Sequence, residues 1–172
     1  MNFYRFLIIL FTLVSCGAKQ QITKDIPVEM QNISCPESGN CSLEVFKNSE
    51  LEIKTDNFGK IYPVVKSGEH LVIKYKFEKK VNKNTKDSSY SEYIYFEIDK
   101  NNDQIILKDK ELQNIKMLFG RICFCRDATG YFKVDTGNFY LFNRNNTLQF
   151  NLKFEINKVP QITTQIKENI KY

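Results

Sequence analysis

Apolar residues recur at every second position over most of the chain, the period required of a strand with one buried and one wet face. The pattern is cleanest in residues 148–156, where Leu148, Phe150, Leu152, Phe154 and Ile156 alternate with Gln149, Asn151, Lys153 and Glu155. In residues 71–77, Leu71, Ile73, Tyr75 and Phe77 alternate with Val72, Lys74 and Lys76. Shorter runs of the same kind cover residues 41–47, 51–54, 93–98, 104–108, 118–125, 131–134, 139–142 and 162–170. Turn-forming residues separate them: Ser38-Gly39-Asn40, Asn57-Phe58-Gly59, Ser67-Gly68, Asp127-Ala128-Thr129-Gly130, Thr136-Gly137-Asn138 and residues 143–146. Strands spaced in this way predict an all-β fold, an antiparallel β-sandwich or open barrel. One segment departs from the period. Residues 109–119 place Leu112, Ile115 and Phe119 at helical spacing, with Asp109 able to cap the start and Gly120 to end it. They predict one short helix that joins two strands and closes an end of the sandwich.

The first sixteen residues follow another pattern. Arg5 precedes an apolar run, residues 6–14, broken only by Thr12. Crossing a bilayer takes about 20 apolar residues, so this run reads as a cleavable export signal. Leu13-Val14-Ser15-Cys16 closes it, with a Leu three positions before the Cys and a small Ser directly before it. That tetrapeptide resembles the lipobox of bacterial lipoproteins, and in composition and layout the chain is similar to small outer-membrane lipoproteins of Bacteroidota. The resemblance implies that the Cys16 sulfur receives a diacylglycerol, that residues 1–15 are removed, and that the new amine is acylated. One acyl chain holds a protein only marginally, whereas two or more hold it stably. Gly17 in place of an Asp implies the outer membrane, and the lack of an acidic run in residues 17–24 implies a domain facing the periplasm, with the cell surface as the other orientation. Residues 16–27 carry no hydrophobic period and read as a tether, ten residues of which span roughly 17 Å as coil. Residues 28–172 remain as a single β domain.

Composition narrows the function classes. Without Arg5 the chain keeps 24 basic and 20 acidic side chains, a mild excess spread over its length. Nucleic-acid binders show a concentrated basic face instead, so no nucleic-acid partner is expected. Phe (14) and Tyr (9) are abundant while Gly (7) and Pro (4) are sparse, which excludes a low-complexity chain.

Four cysteines remain after Cys16: Cys35, Cys41, Cys123 and Cys125. An even count in an oxidising compartment predicts disulfides, and four cysteines allow three pairings. Cys35 and Cys41 flank a loop that can close on itself. Cys123 and Cys125, if extended, hold their Cα atoms about 6.5 to 7 Å apart, at or beyond disulfide reach. Either that stretch turns sharply or each reaches Cys35 or Cys41; the cross-link between segments is the favoured expectation. A four-thiolate zinc site is the rival, against which both spacings speak, and neither spacing fits a redox centre. No metal and no cofactor are expected.

Other motifs have plainer explanations. Asp135-Thr136-Gly137 has the residues of an aspartic-protease strand end, but Asn138 follows and no second copy exists. Residues 99–103 begin like a calcium loop, yet Gln104 and Lys110 occupy the positions that need Gly and Glu, so a polar hairpin turn is expected. His70 is the only histidine, which excludes a histidine metal cluster within one chain. Two features mark a possible binding face. Lys74, Lys76, Lys79, Lys80, Lys83 and Lys86 line one strand and its loop, and Tyr93 and Tyr95 face away from Ile94, Phe96 and Ile98. Edge protection by lysines and cross-strand packing of the tyrosines are the structural alternatives. Two functions fit: a noncatalytic binding or assembly module with an envelope protein or glycan partner, or a periplasmic hydrolase using paired carboxylates.

Overall fold

The computed structural model describes residues 35–81 and 87–172. The signal, the lipobox with Cys16, the whole tether, the first seven residues of the expected β domain (28–34), and the loop lysines Lys83 and Lys86 lie outside the described residues. Among the described residues, nine strands form two antiparallel sheets: β1 Gly39–Thr55, β2 Ile61–Lys79, β3 Tyr90–Ile98, β4 Gln104–Lys108, β5 Leu118–Cys123, β6 Gly130–Lys133, β7 Gly137–Arg144, β8 Thr147–Phe154 and β9 Gln165–Lys171. Sheet A has the order β1-β2-β3-β5-β6 and sheet B the order β4-β7-β8-β9. The expected all-β sandwich is therefore the fold.

The alternation seen in the sequence is what closes the two sheets. Ile73, Tyr75, Phe77, Ile94 and Phe96 of sheet A share one core with Phe139, Leu141, Phe150, Leu152 and Ile166 of sheet B. Phe96 stands at the centre, its ring 5.1 Å from Phe139 and 5.3 Å from Phe150, both edge-on. Edge-to-face pairs of this kind add to the burial of the rings themselves.

Several boundaries differ from expectation. The helix is a 3₁₀ helix, Asp109–Ile115, and it ends at Lys116 in the left-handed conformation (φ 52°, ψ 36°). Leu112 and Ile115 enter the core as expected, but Phe119 and Gly120 already belong to β5, where Phe119 pairs with Ile94. Asp109 does not cap the helix; its carboxylate accepts from the Gly137 amide at 3.0 Å, which ties the helix to β7. Residues 99–103 are not a hairpin turn, because β3 and β4 belong to different sheets. There Asp99 Oδ1 accepts from the Asn101 amide at 2.8 Å as the chain crosses over.

The largest difference is the β1–β2 hairpin. Residues 41–47 and 51–54 form one strand, and Ser67-Gly68 is no turn but the partner of a bulge opposite Ser49, with Asn48 at φ 49°. Bulges bend and twist a strand pair. Gly68 is needed there, since a Cβ would stand 2.6 Å from the Cβ of Glu50. Beyond the bend, Leu51, Ile53, Ile61 and Val65 pack on Val72, Tyr95, Leu118 and Tyr131 in a second apolar cluster. β2 also touches β6, although β3 and β5 separate them in the sheet, so the distal hairpin lies across the outer face of sheet A. Glu97 secures the bend. Its carboxylate accepts from the Leu51 amide at 2.6 Å and lies 3.1 Å from Lys116 Nζ and 3.3 Å from His70 Nδ1.

Both disulfides are local, which corrects the expected cross-link between segments. Cys35 bonds Cys41 with Cα atoms 5.7 Å apart, and Cys123 bonds Cys125 with Cα atoms 5.2 Å apart. β5 ends at Cys123, so residues 123–125 turn and bring the Cα atoms inside the extended spacing.

Candidate functional site

The tyrosine and lysine face picked out in the sequence is not an open platform. Tyr93 is half-buried, and Tyr95, under the folded hairpin, is buried. The two rings stack at 6.4 Å, and Tyr95 meets Tyr131 edge-on at 6.2 Å, where a Cβ at Gly120 would collide with the Tyr131 ring. Lys74 pairs with Glu44 at 2.9 Å and lies 6.0 Å over the Tyr93 ring; Lys76 pairs with Glu78 at 2.6 Å. The structure thus brings Lys74 and Tyr93 together, commits both lysines to carboxylates, and covers the second tyrosine.

On the core side, Glu92 is likewise committed. Glu92, fully buried, accepts from the amides of Ile162 and Thr163 at 2.6 and 2.7 Å and from the Tyr90 hydroxyl at 2.5 Å. It fastens the 155–164 loop of sheet B to sheet A. Arg121 stacks on the Tyr90 ring at 5.2 Å and donates to the Ala128 carbonyl at 2.6 Å. Burial, followed by the bond to Glu92, pushes the Tyr90 phenol up to about 12. Burial also raises Tyr75, Tyr95 and Tyr131 above the ordinary value of 10.0. An unfolded chain releases these protons near pH 10 and the native chain above it, so the native state binds more protons in that window. Stability is kept below pH 10 and falls as pH rises from there through the native values. Absorbance titration should show a cooperative step above pH 10 coincident with loss of near-ultraviolet dichroism. Independent, non-cooperative ionisation of every phenol near pH 10 would contradict the burial.

A groove of about 580 Å³ beside the 155–164 loop has both Asp109 and Glu155 in its wall. Asp109 is held by the Gly137 amide, so this pair offers one committed carboxylate and one exposed one. No group of three or more metal-ligating side chains is found among the described residues.

The outer face of sheet B is different, and nothing among the described residues folds over it. Its alternate positions form cross-strand rows: Gln104, Phe142, Gln149 and Asn169 in one; Ile106, Tyr140, Asn151 and Lys167 in the next. Lys108, Asn138, Lys153 and Gln165 form a third, and Arg144, Thr147 and Lys171 a fourth. Ile106, Tyr140 and Phe142 are 57 %, 45 % and 42 % exposed. Cations and primary amides surround them, and no carboxylate occupies any of these outward positions. An open groove of about 440 Å³ runs beside the two aromatic rings, walled by Gln149, Asn151, Lys167 and Asn169, with the buried residues Phe150 and Glu168 at its base. Gln165 donates to Asn151 at 3.0 Å, holding one amide of the rows in place.

Sequence reasoning passed over this face. Gln149, Asn151 and Lys153 were legible as the wet side of a strand, but the shared sign of four separate strands becomes visible only when their register is known. The fold and face together define an all-β sandwich with one covered and one open sheet surface. No family model, curated protein or solved structure matches the chain.

Proposed function

We propose that the chain is an envelope lipoprotein, anchored through Cys16 in the outer membrane and facing the periplasm, whose sandwich is a noncatalytic binding module. The partner docks on the outer face of sheet B. The observation that carries this reading is the uncovered Ile106-Tyr140-Phe142 strip, whose neighbouring outward strand positions hold amides and cations. Two local disulfides suit an oxidising compartment. The commitment of Glu92 and Glu97 to backbone amides favours binding over carboxylate hydrolysis, since these buried acids hold the fold together.

Two measurements test the proposal. Labelled palmitate should be incorporated into the natural chain and not into Cys16→Ser; equal labelling of both would remove the anchor. The acylated chain should be retained on detergent-extracted envelope material, and Tyr140→Ala/Phe142→Ala should reduce that retention at least tenfold. Undiminished retention would move the docking surface elsewhere.

A further inference from the structure

We infer that the outer face of sheet B takes an anionic glycan, a polysaccharide bearing uronic-acid or similar acidic groups. The inference rests on the binding reading above and names the ligand of that same face. Three features of the rows point to this chemistry.

The first is the aromatic strip. Tyr140 and Phe142 occupy alternate positions of β7, so both rings stand on one face about 7 Å apart. More than half of the surface of each residue is covered. Such a platform receives a flat apolar face, as a pyranose ring presents with its axial hydrogens.

The second is the amides. Gln104, Asn138, Gln149, Asn151, Gln165 and Asn169 lie in the same rows as the rings or in the adjoining one. Each side chain carries both donors and an acceptor. A sugar hydroxyl is also donor and acceptor at once, so an amide can match it in either sense. A lipid phosphate only accepts, and would favour a face of cations alone.

The third is the sign of the charge. Lys108, Arg144, Lys153, Lys167 and Lys171 share the face, and no outward strand position on it holds a carboxylate. Over the whole chain acids nearly balance bases, so this segregation is local. On the outer surface of sheet A, lysines pair with Glu44 and Glu78 instead. A one-signed patch raises the local concentration of oppositely charged ligand and speeds its arrival. The cations also lie toward the rims, with the aromatic strip and amides between them, as a chain of sugar rings with acidic substituents requires.

The full chain, purified in detergent, tests this against four probes: polygalacturonate, neutral dextran, single-stranded DNA and phosphatidylglycerol vesicles. Polygalacturonate should bind at least tenfold more tightly than dextran, DNA or the vesicles, with an affinity that falls as salt rises. Tyr140→Ala/Phe142→Ala should weaken that binding at least tenfold, whereas Phe124→Ala, at an exposed tip off the face, should leave it unchanged. Lys153→Glu/Lys171→Glu should weaken it comparably while the melting temperature is preserved, which separates loss of charge from loss of fold. Equal or tighter binding of DNA or vesicles, or indifference of polygalacturonate binding to both face variants, would overturn the inference. If the face variants still abolish retention on envelope material while polygalacturonate fails to bind, the glycan class falls and the binding reading stands. If retention too is indifferent to them, both fall.

Discussion

Phe96→Ala is expected to lower the stability of the sandwich by about 3–5 kcal/mol, the usual cost of deleting a buried ring. Phe96 is fully buried and meets Phe139 and Phe150 of the opposite sheet, so its loss opens a cavity between the two layers. For a chain of this size each kcal/mol corresponds to a few degrees, so a fall in melting temperature of about 10 °C or more should follow. Phe124→Ala makes the sharpest comparison. That ring is 82 % exposed between two disulfide-bonded cysteines, and its removal should stay within about 0.5 kcal/mol. Urea unfolding of both variants measures the contrast, and equal losses would mean that the sheets do not close around Phe96.

Glu92→Ala should be of similar size for an unrelated reason. Removing the carboxylate takes the acceptor from the Ile162 and Thr163 amides, one at the edge of the core and one within it. An amide left buried without a partner costs about 1–3 kcal/mol, and two give about 2–6 kcal/mol. Glu92→Gln keeps one oxygen acceptor, so its loss should be intermediate. Hydrogen exchange should locate the damage, with protection lost first at Ile162 and Thr163 while β2 and β8 stay protected. Uniform loss of protection across both sheets would show that Glu92 does more than fasten one loop. Unchanged exchange at the two amides would show that it does not fasten that loop at all.

These two residues also mark how far the fold could be read from the chain. Phe96 was legible: it alternates with Tyr95 and Glu97, and the period alone placed it on the core side. Glu92 was not legible, although it lies on the same side of the same strand. A carboxylate breaks the apolar pattern, and its acceptors' partners come from residues about seventy positions away. The same limit hid Glu97, whose partner amide, that of Leu51, lies just past a bulge that no local pattern announces.

Tyr95 illustrates the converse. Its strand face was read correctly, but facing away from Ile94 and Phe96 does not mean facing water. The bend at Asn48 and Gly68 carries the distal hairpin over that face, and Tyr95 joins a second cluster with Leu51, Val72 and Leu118. Ser67-Gly68 carries the chemistry of a turn, and a bulge needs the same freedom from a Cβ, so composition does not separate the two. The 3₁₀ helix stops at Lys116 for a related reason. Helical spacing continues to Phe119, but pairing of β5 with β3 competes for that ring and holds it in the sheet.

By itself the sequence determined the all-β class, nearly every strand, and the side of most strands that faces the inter-sheet core. These follow from periods of two and from contiguous motifs, which are properties of neighbouring residues. Tertiary structure alone decided which sheet each strand joined, which outer surface stayed open, which cysteines met, and where the buried glutamates found their donors. Each of those depends on register and on the path of the chain between strands. A uniform sign across Lys108, Arg144, Lys153 and Lys171 has no signature along the chain, because β4 and β7, side by side in the sheet, are separated in sequence by the helix and two strands of the other sheet.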